Sequence, residues 1–206
     1  MTPAFKKNNY MVIKKAIDPK IAEFAMNYLM MKRQVARTMF DEKFISPFTT
    51  EFGVWNDVQA PETYSHYADI AMETLLLAVQ PKMEKETGLD LIPTYSYTRI
   101  YKNGDILKRH KDRFSCEIST TMNLGGDPWP IYIEPNPKKG SDTDNGYKSE
   151  YTDGVKVDLK PGDMLVYKGN ICEHWRDKFL GTDCAQVFLH YNNAATEGSK
   201  KNMFDG

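Results

Sequence analysis

Arg109-His110-Lys111-Asp112-Arg113 places a His-x-Asp inside a segment, 106 to 113, that reads as β-strand. Residues two apart in a strand point to the same face, so the imidazole of His110 and the carboxylate of Asp112 converge while Lys111 faces away. Two such side chains are two ligands of a metal site. One further His from elsewhere completes a two-His-one-carboxylate set, which leaves positions open on a non-haem Fe(II). The competing reading is a chance His-x-Asp in a charged surface strand, so the remainder of the chain has to supply both a third ligand and a suitable fold.

The search for that ligand is short, because the 206-residue chain holds four His. His66 lies between Tyr64 and Tyr67 in what reads as a helix, and is taken as structural or solvated. His190 sits inside Gln186-Val187-Phe188-Leu189-His190-Tyr191, an apolar strand, where a hydrogen-bonded core histidine that supports a ligand is the better reading. His174 follows Pro161-Gly162-Asp163-Met164-Leu165-Val166-Tyr167, a tight turn feeding an apolar strand, and is the preferred third ligand.

Around these residues the texture is mainly β. Thr94 to Tyr101 alternates, placing Tyr95, Tyr97, Arg99 and Tyr101 on one face, and Asn103-Gly104 is a turn signal. Further strands are expected at 116–124, 130–134, 155–159, 164–167, 172–175 and 185–191. Seven or more short strands separated by Gly, Pro and Asp turns predict a sandwich, jelly roll or barrel. Residues 135–154 form the one long polar insertion, expected to be a mobile loop or lid. Its Asp142-Thr143-Asp144-Asn145-Gly146 lacks the spaced carboxylates and terminal Glu of a calcium loop. The tail after Asn192 shows no core pattern.

The N-terminal part is helical in pattern. Residues 10–17 read as an edge strand. Asp18-Pro19 pairs a preferred N-cap with a proline at the first helical position, and Ile21, Phe24, Ala25, Tyr28 and Leu29 form the expected buried stripe of a helix reaching about Met39. Residues 44–59 have no clean period. A second helix is expected from Pro61, with Tyr64, Tyr67, Ala68, Ala71, Leu75 and Ala78 on its apolar face, a kink or break at Pro81, and Gly88 as its stop.

Composition bounds the rest. Hydrophobic residues make up 41% of the chain and net charge is −1, which fits one sizeable core and gives no global basic field for nucleic acid. Three cysteines, Cys116, Cys172 and Cys184, are an odd number without CxxC spacing, poor material for a disulfide framework or structural zinc. The N-terminus has no apolar leader core and no stretch has membrane-span length, so a cytoplasmic location is expected. The organisation read from these patterns is one domain over 1–206: a strand and supporting helices in 1–90, a β core in 91–192, and a tail in 193–206.

Taken together, Tyr-x-x-Gly-Asp-x-x-x-x-His-x-Asp in 101–112, Pro-Gly-Asp-Met-Leu-Val-Tyr in 161–167 and then His174 resemble the Fe(II)/2-oxoglutarate-dependent oxygenases, most closely the small prolyl-4-hydroxylase-like members. The resemblance covers roughly residues 91 to 192. It implies an α+β, mainly β fold, a double-stranded β-helix (jelly roll) with N-terminal helices packed outside its major sheet. It further implies Fe(II) held by His110, Asp112 and His174, 2-oxoglutarate as cosubstrate, O2 as oxidant, and succinate and CO2 as co-products of a hydroxylation. Peptidyl proline enters as a substrate class, alongside other peptides, proteins and small metabolites.

One feature of the resemblance is missing. A basic residue for the distal carboxylate of 2-oxoglutarate commonly lies about ten residues after the second His, where this chain has Asp183-Cys184-Ala185-Gln186. A dicarboxylate in a partly dry pocket needs a cationic, preferably forked, partner. Arg176, two residues beyond His174, is the expected replacement, with Arg99 the runner-up. Tyr101, and Tyr97 beside it, are expected near the cosubstrate, and Thr121 and Asn123 more weakly. Two rivals remain at this point: a non-catalytic jelly-roll module binding a peptide or glycan, and a cupin-like enzyme using zinc or manganese.

Overall fold

The computed structural model describes residues 1–144 and 146–205. Its elements, in chain order, are α1 (Pro3–Asn8), β1 (Tyr10–Ile13), α2 (Pro19–Asp41), β2 (Tyr64–Tyr67), α3 (Ile70–Thr87), β3 (Leu91–Lys102), β4 (Leu107–His110), β5 (Ile118–Gly126), β6 (Ile131–Glu134), β7 (Ser141–Thr143), β8 (Gly146–Lys148), β9 (Val155–Val157), β10 (Met164–Tyr167), β11 (Glu173–Arg176) and β12 (Asp183–Asn193). The strands form a six-stranded sheet, β1-β10-β5-β12-β3-β2, a four-stranded sheet, β4-β11-β6-β9, and the hairpin β7-β8. All the pairings are antiparallel. Arg176 of the smaller sheet hydrogen-bonds Thr121 and Gln186 of the larger one, so the two sheets face each other. Among the described residues no helix is long and apolar enough to cross a membrane.

Alternation decides which side chains meet in the middle. On β12, Ala185, Val187, Leu189 and Tyr191 join Ala25, Leu29, Leu76, Val79 and Met83 of α2 and α3 in the main core. The intervening Gln186, Phe188 and His190 therefore face the other sheet, as do Tyr95, Tyr97, Arg99 and Tyr101 opposite them on β3. The helices thus close the outer face of the large sheet, and the inner face is left for polar and aromatic groups. The expected alternation of β3 is observed, and β1 is an edge strand.

Both long helices depart from expectation in instructive ways. Asp18 caps α2 as expected, its side chain accepting from Lys20 N. The buried stripe is Ala22, Ala25, Leu29 and Ala36, however, and Ile21 and Phe24 are exposed. Small residues let the helix approach the sheet closely, so the bulky pair turns outward. The second helix does not begin at Pro61. Residues 64–67 pair with β3 as a strand, and α3 starts at Ile70, capped by Asp69, which accepts from the N–H groups of Ala71 and Met72. The buried face is Met72, Leu76, Val79 and Met83, so Ala71 and Ala78 face outward. Pro81 does not interrupt the helix, because it sits on the exposed side where the carbonyl it frees is near water. Gly88 ends it in the left-handed conformation, φ 68°. The α1 helix was not legible. The tail is not patternless either: a 3-10 segment, Ser199–Asp205, packs on β3, with Asp205 accepting from Tyr67 and Arg113.

Candidate metal centre and its cavity

His110 and His174 are register partners on the paired strands β4 and β11, which brings their ring centroids to 4.2 Å. Each Nδ1 lies against the carbonyl of the residue two before it, Lys108 at 2.8 Å and Cys172 at 3.0 Å. A carbonyl only accepts, so both Nδ1 atoms carry the hydrogen and both Nε2 atoms present a lone pair to the same point. Asp112 Oδ1 is 3.5 Å from each Nε2. The three ligand-type atoms lie within 4.8 Å of one another, which is the donor set of a divalent cation site.

Asp112 reaches that point by a different route from the one its spacing suggests. The strand ends at His110, and Asp112 follows in irregular backbone. Its N–H donates to Gly169 O at 2.9 Å and its Oδ2 accepts from Ser119 Oγ at 2.8 Å. Burial alone would raise the Asp112 carboxyl, but His174 and His110 more than reverse this and hold it well below the usual carboxylate range. Burial likewise lowers His110, and the adjacent Asp112 carboxylate overrides it to raise the imidazole. A carboxylate and an imidazole that perturb each other beside a second imidazole are chemistry suited to a divalent cation.

The triad opens on a cavity of about 390 Å³ whose wall includes Tyr95, Tyr97, Arg99, Tyr167, Phe188 and His190. Tyr97 and Arg99 are on this wall, but their polar groups are engaged. Arg99 Nε donates to Asp57 at 2.8 Å, its Nη2 to Gln59 at 2.8 Å and its Nη1 to Tyr101 OH at 3.1 Å, while Tyr97 OH donates to Asp57 at 2.7 Å. Tyr101 and Arg176 lie behind the wall, fully buried.

Arg176 is 1% exposed and shares no ion pair with a carboxylate among the described residues. Its donors meet neutral acceptors: the Trp129 carbonyl, Thr121 Oγ1 at 3.1 Å and Gln186 Oε1 at 3.3 Å. Its Nε has no partner. Burial pushes this guanidinium down from its ordinary value. A buried cation with an orphaned donor and no counter-charge is costly, and it fits an anionic ligand. Of the weaker candidates, Thr121 touches Arg176, whereas Asn123 donates to Leu159 O. Of the other histidines, His66 is buried beside Lys32 and Asp69, away from the triad, and His190 lines the cavity against Ser119.

The polar insertion is not a free loop. It contains the β7-β8 hairpin, and Asn145 lies outside the described residues. The buried Glu173 accepts from Arg109 at 3.0 Å, Tyr147 at 2.8 Å and Ser149 at 2.9 Å, and Lys111 donates to the carbonyls of Pro137 and Gly140. Arg109 and Lys111 flank His110, and Glu173 precedes His174. The chain neighbours of two candidate ligands therefore grip the insertion, which the expectation of a mobile segment missed. Ser119, Gly169, Trp129 and Asp57 were also missed. They come from segments with no local motif: the β5–β12 pairing delivers Ser119, and Gly169, Trp129 and Asp57 reach their partners from turns and loops.

No family model matches the chain, and no curated protein sequence does. Solved structures do. The non-heme alpha-ketoglutarate-dependent epimerase SnoN from nogalamycin biosynthesis is 13% identical with a TM-score of 0.63, over 92% of this chain and 80% of that one. A Pseudomonas putida prolyl-4-hydroxylase is 13% identical with a TM-score of 0.58, over 93% and 96%. HygX from Streptomyces hygroscopicus, solved with nickel and 2-oxoglutarate bound, is 13% identical with a TM-score of 0.58, over 95% and 88%. The chain shares the fold of these proteins along nearly its whole length.

Proposed function

We propose that this chain is an Fe(II)- and 2-oxoglutarate-dependent dioxygenase, built on a double-stranded β-helix, that hydroxylates its substrate. The observation that carries the reading is the convergence of His110, Asp112 and His174, with both Nδ1 atoms tied to carbonyls and both Nε2 lone pairs free. When bound, iron and 2-oxoglutarate supply the oxidation itself, with O2 consumed and succinate and CO2 formed.

The chain's own residues supply geometry and charge. His110, Asp112 and His174 hold the metal by three donors and leave its other positions to ligands. Arg176 holds the distal carboxylate of 2-oxoglutarate, which provides the counter-charge its guanidinium lacks. Tyr101 accepts from Arg99 and so keeps its own hydrogen to donate toward the same carboxylate. Arg99 and Tyr97 stand nearer the mouth, where Asp57 engages both. Tyr167, its ring centroid 4.6 Å from that of His174, shields the imidazole from water. Peptidyl proline is the first substrate class to test, because one structural neighbour is a prolyl-4-hydroxylase, and small metabolites are the second.

The test is anaerobic addition of Fe(II) and 2-oxoglutarate to metal-free protein, followed by admission of O2. The expected result is the visible charge-transfer absorbance of the chelate and then O2-dependent succinate. Absence of the band in protein that retains all three ligands would overturn the assignment. A screen of peptides and metabolites for an added oxygen by mass identifies the substrate.

A further inference from the structure

We infer that Ser119 and His190 are positioning residues that act as a relay on Asp112, fixing which of its two oxygens faces the metal point. The inference rests on the reading of His110, Asp112 and His174 as metal ligands. Ser119 on β5 and His190 on β12 are register partners, and both turn inward. Ser119 Oγ lies 2.8 Å from Asp112 Oδ2, 2.9 Å from Cys116 O and 3.0 Å from His190 Nδ1.

The proton count decides the direction of these bonds. A hydroxyl has one hydrogen to give, and both the Asp112 carboxylate and the Cys116 carbonyl only accept. Were His190 Nδ1 also an acceptor, three acceptors would compete for one hydrogen. His190 therefore carries its hydrogen on Nδ1 and donates to Ser119, which leaves the hydroxyl hydrogen directed at Asp112 Oδ2. The ring of Tyr95, with its centroid 4.6 Å from that of His190, holds the imidazole plane. With Oδ2 engaged, Oδ1 is the oxygen left to the metal point, and it is the one equidistant from the two Nε2 atoms.

The packing here has no slack. A Cβ on Gly169 would come within 2.3 Å of Asp112 Oδ2, 2.4 Å of Ser119 Oγ and 2.4 Å of Cys116 O. A side chain at 169 would have to displace the same atoms that form the relay. The relay thus aims the carboxylate from one side while the Gly169 backbone holds Asp112 N–H from the other. One oxygen rather than two facing the metal keeps coordination positions available for ligands.

The experiment measures Co(II) affinity of the metal-free full chain by calorimetry and the Co(II) visible spectrum, with thermal unfolding of each metal-free variant as a folding check. Ser119→Ala and His190→Leu should each weaken Co(II) binding by about 10–100-fold and shift the Co(II) bands. His190→Asn places an amide N–H near the Nδ1 position and should recover affinity to within about threefold of the parent protein on the same scale. His190→Gln, whose amide falls near Nε2, should not. Unchanged affinity in Ser119→Ala overturns the relay, as does equal weakening in His190→Asn and His190→Leu. If His190→Leu does not fold, Ser119→Ala and the Asn/Gln pair decide. Failure of the unsubstituted chain to bind Co(II) at all would instead overturn the metal site, and this inference with it.

Discussion

Arg176→Met separates a structural arginine from one that awaits an anion. The methionine keeps an unbranched side chain of similar reach and removes the charge. In the ligand-free protein two effects oppose each other. Loss of the bonds to Thr121 and Gln186 costs little, because those two remain hydrogen-bonded to each other at 3.1 Å, and only the Trp129 carbonyl is orphaned, at about 1–3 kcal/mol. Against this, several kcal/mol of guanidinium desolvation with no carboxylate partner is relieved. The ligand-free protein should therefore change by no more than about 1 kcal/mol, and a gain in stability is as consistent as a small loss. The response to ligand should change far more. At 2-oxoglutarate about 100-fold above its Kd, the parent protein gains roughly 2.7 kcal/mol, or about 5–10 °C in Tm at this chain length. Removing one partner of a buried charge pair costs about 2–5 kcal/mol, so affinity falls about 30-fold or more and the shift shrinks to about 3 °C or less. The assay is thermal unfolding of Mn(II)-loaded protein under argon, with and without 2-oxoglutarate. A full ligand shift in Arg176→Met, or a loss of more than about 3 kcal/mol without ligand, would show that the guanidinium is a packing element and refute the argument.

Gly169→Ala should lower metal affinity by about tenfold or more and cost about 1–3 kcal/mol in the metal-free state, since its Cβ meets a carboxylate, a hydroxyl and a backbone carbonyl at 2.3–2.4 Å. Calorimetric metal titration checks the first effect and urea unfolding the second. Glu173→Gln removes the charge that gathers Arg109, Tyr147 and Ser149. Proteolytic nicking within 135–154 should accelerate about tenfold or more while the β core survives, and an unchanged cleavage rate in limited proteolysis would count against the insertion being held by Glu173. Asp69 is buried, which alone would raise its carboxyl, but bonds from His66, Lys32 and Tyr28 outweigh burial and hold it below the ordinary range. A depressed carboxyl contributes stability that is complete above about pH 4 and is lost as pH falls through its folded-state value. Asp69→Asn keeps a helix-capping side chain but should lose about 2–3 kcal/mol at pH 7, with the gap to the parent narrowing in acid urea titrations.

Much of the site was legible because alternation is a property of the backbone. Once β3 is a strand, Tyr95, Tyr97, Arg99 and Tyr101 must share a face, and the structure adds only that this face is the inner one. The His-x-Asp was found by the same rule, although Asp112 is delivered by the turn after β4 and by bonds to Gly169 and Ser119 rather than by the strand itself. The errors come from patterns that imitate one another. Residues 64, 67, 68 and 71 recur at helical spacing, yet they straddle the end of a strand, a residue at positive φ and the start of a helix. Asp69, a capping residue, was the local sign of the true boundary. In α2 the large residues drew attention, while close packing on the sheet selected the alanines. Ser119, Asp57 and Trp129 carry no local signature, because their partners are 7 to 71 residues away and meet them only in the folded chain.

The charges around the cavity give the proposed cosubstrate its strongest physical support. Arg99 pairs with Asp57 at 2.6 Å and Arg113 with Asp205 at 2.9 Å, so both are neutral as pairs. Lys111 directs its ammonium to two carbonyls of the insertion, at the rim. What remains is the triad with a single carboxylate on the cavity and, buried behind the wall, Arg176 with no carboxylate partner among the described residues. A divalent cation held by His110, Asp112 and His174 would leave one net positive charge, and Arg176 would add a second, both in a low-dielectric interior where uncompensated charge is expensive. A dianion such as the proposed 2-oxoglutarate would offset both. The sequence resemblance expects the cation of this arrangement on the strand of 183–186, where Gln186 stands instead. Gln186 Oε1 accepts from Arg176 at 3.3 Å. On the proposed reading the positive charge comes instead from the facing sheet, from Arg176 two residues beyond His174, with Gln186 orienting it. His174 and Arg176 share β11, so on the proposed reading a shift of that strand would disturb metal and cosubstrate together.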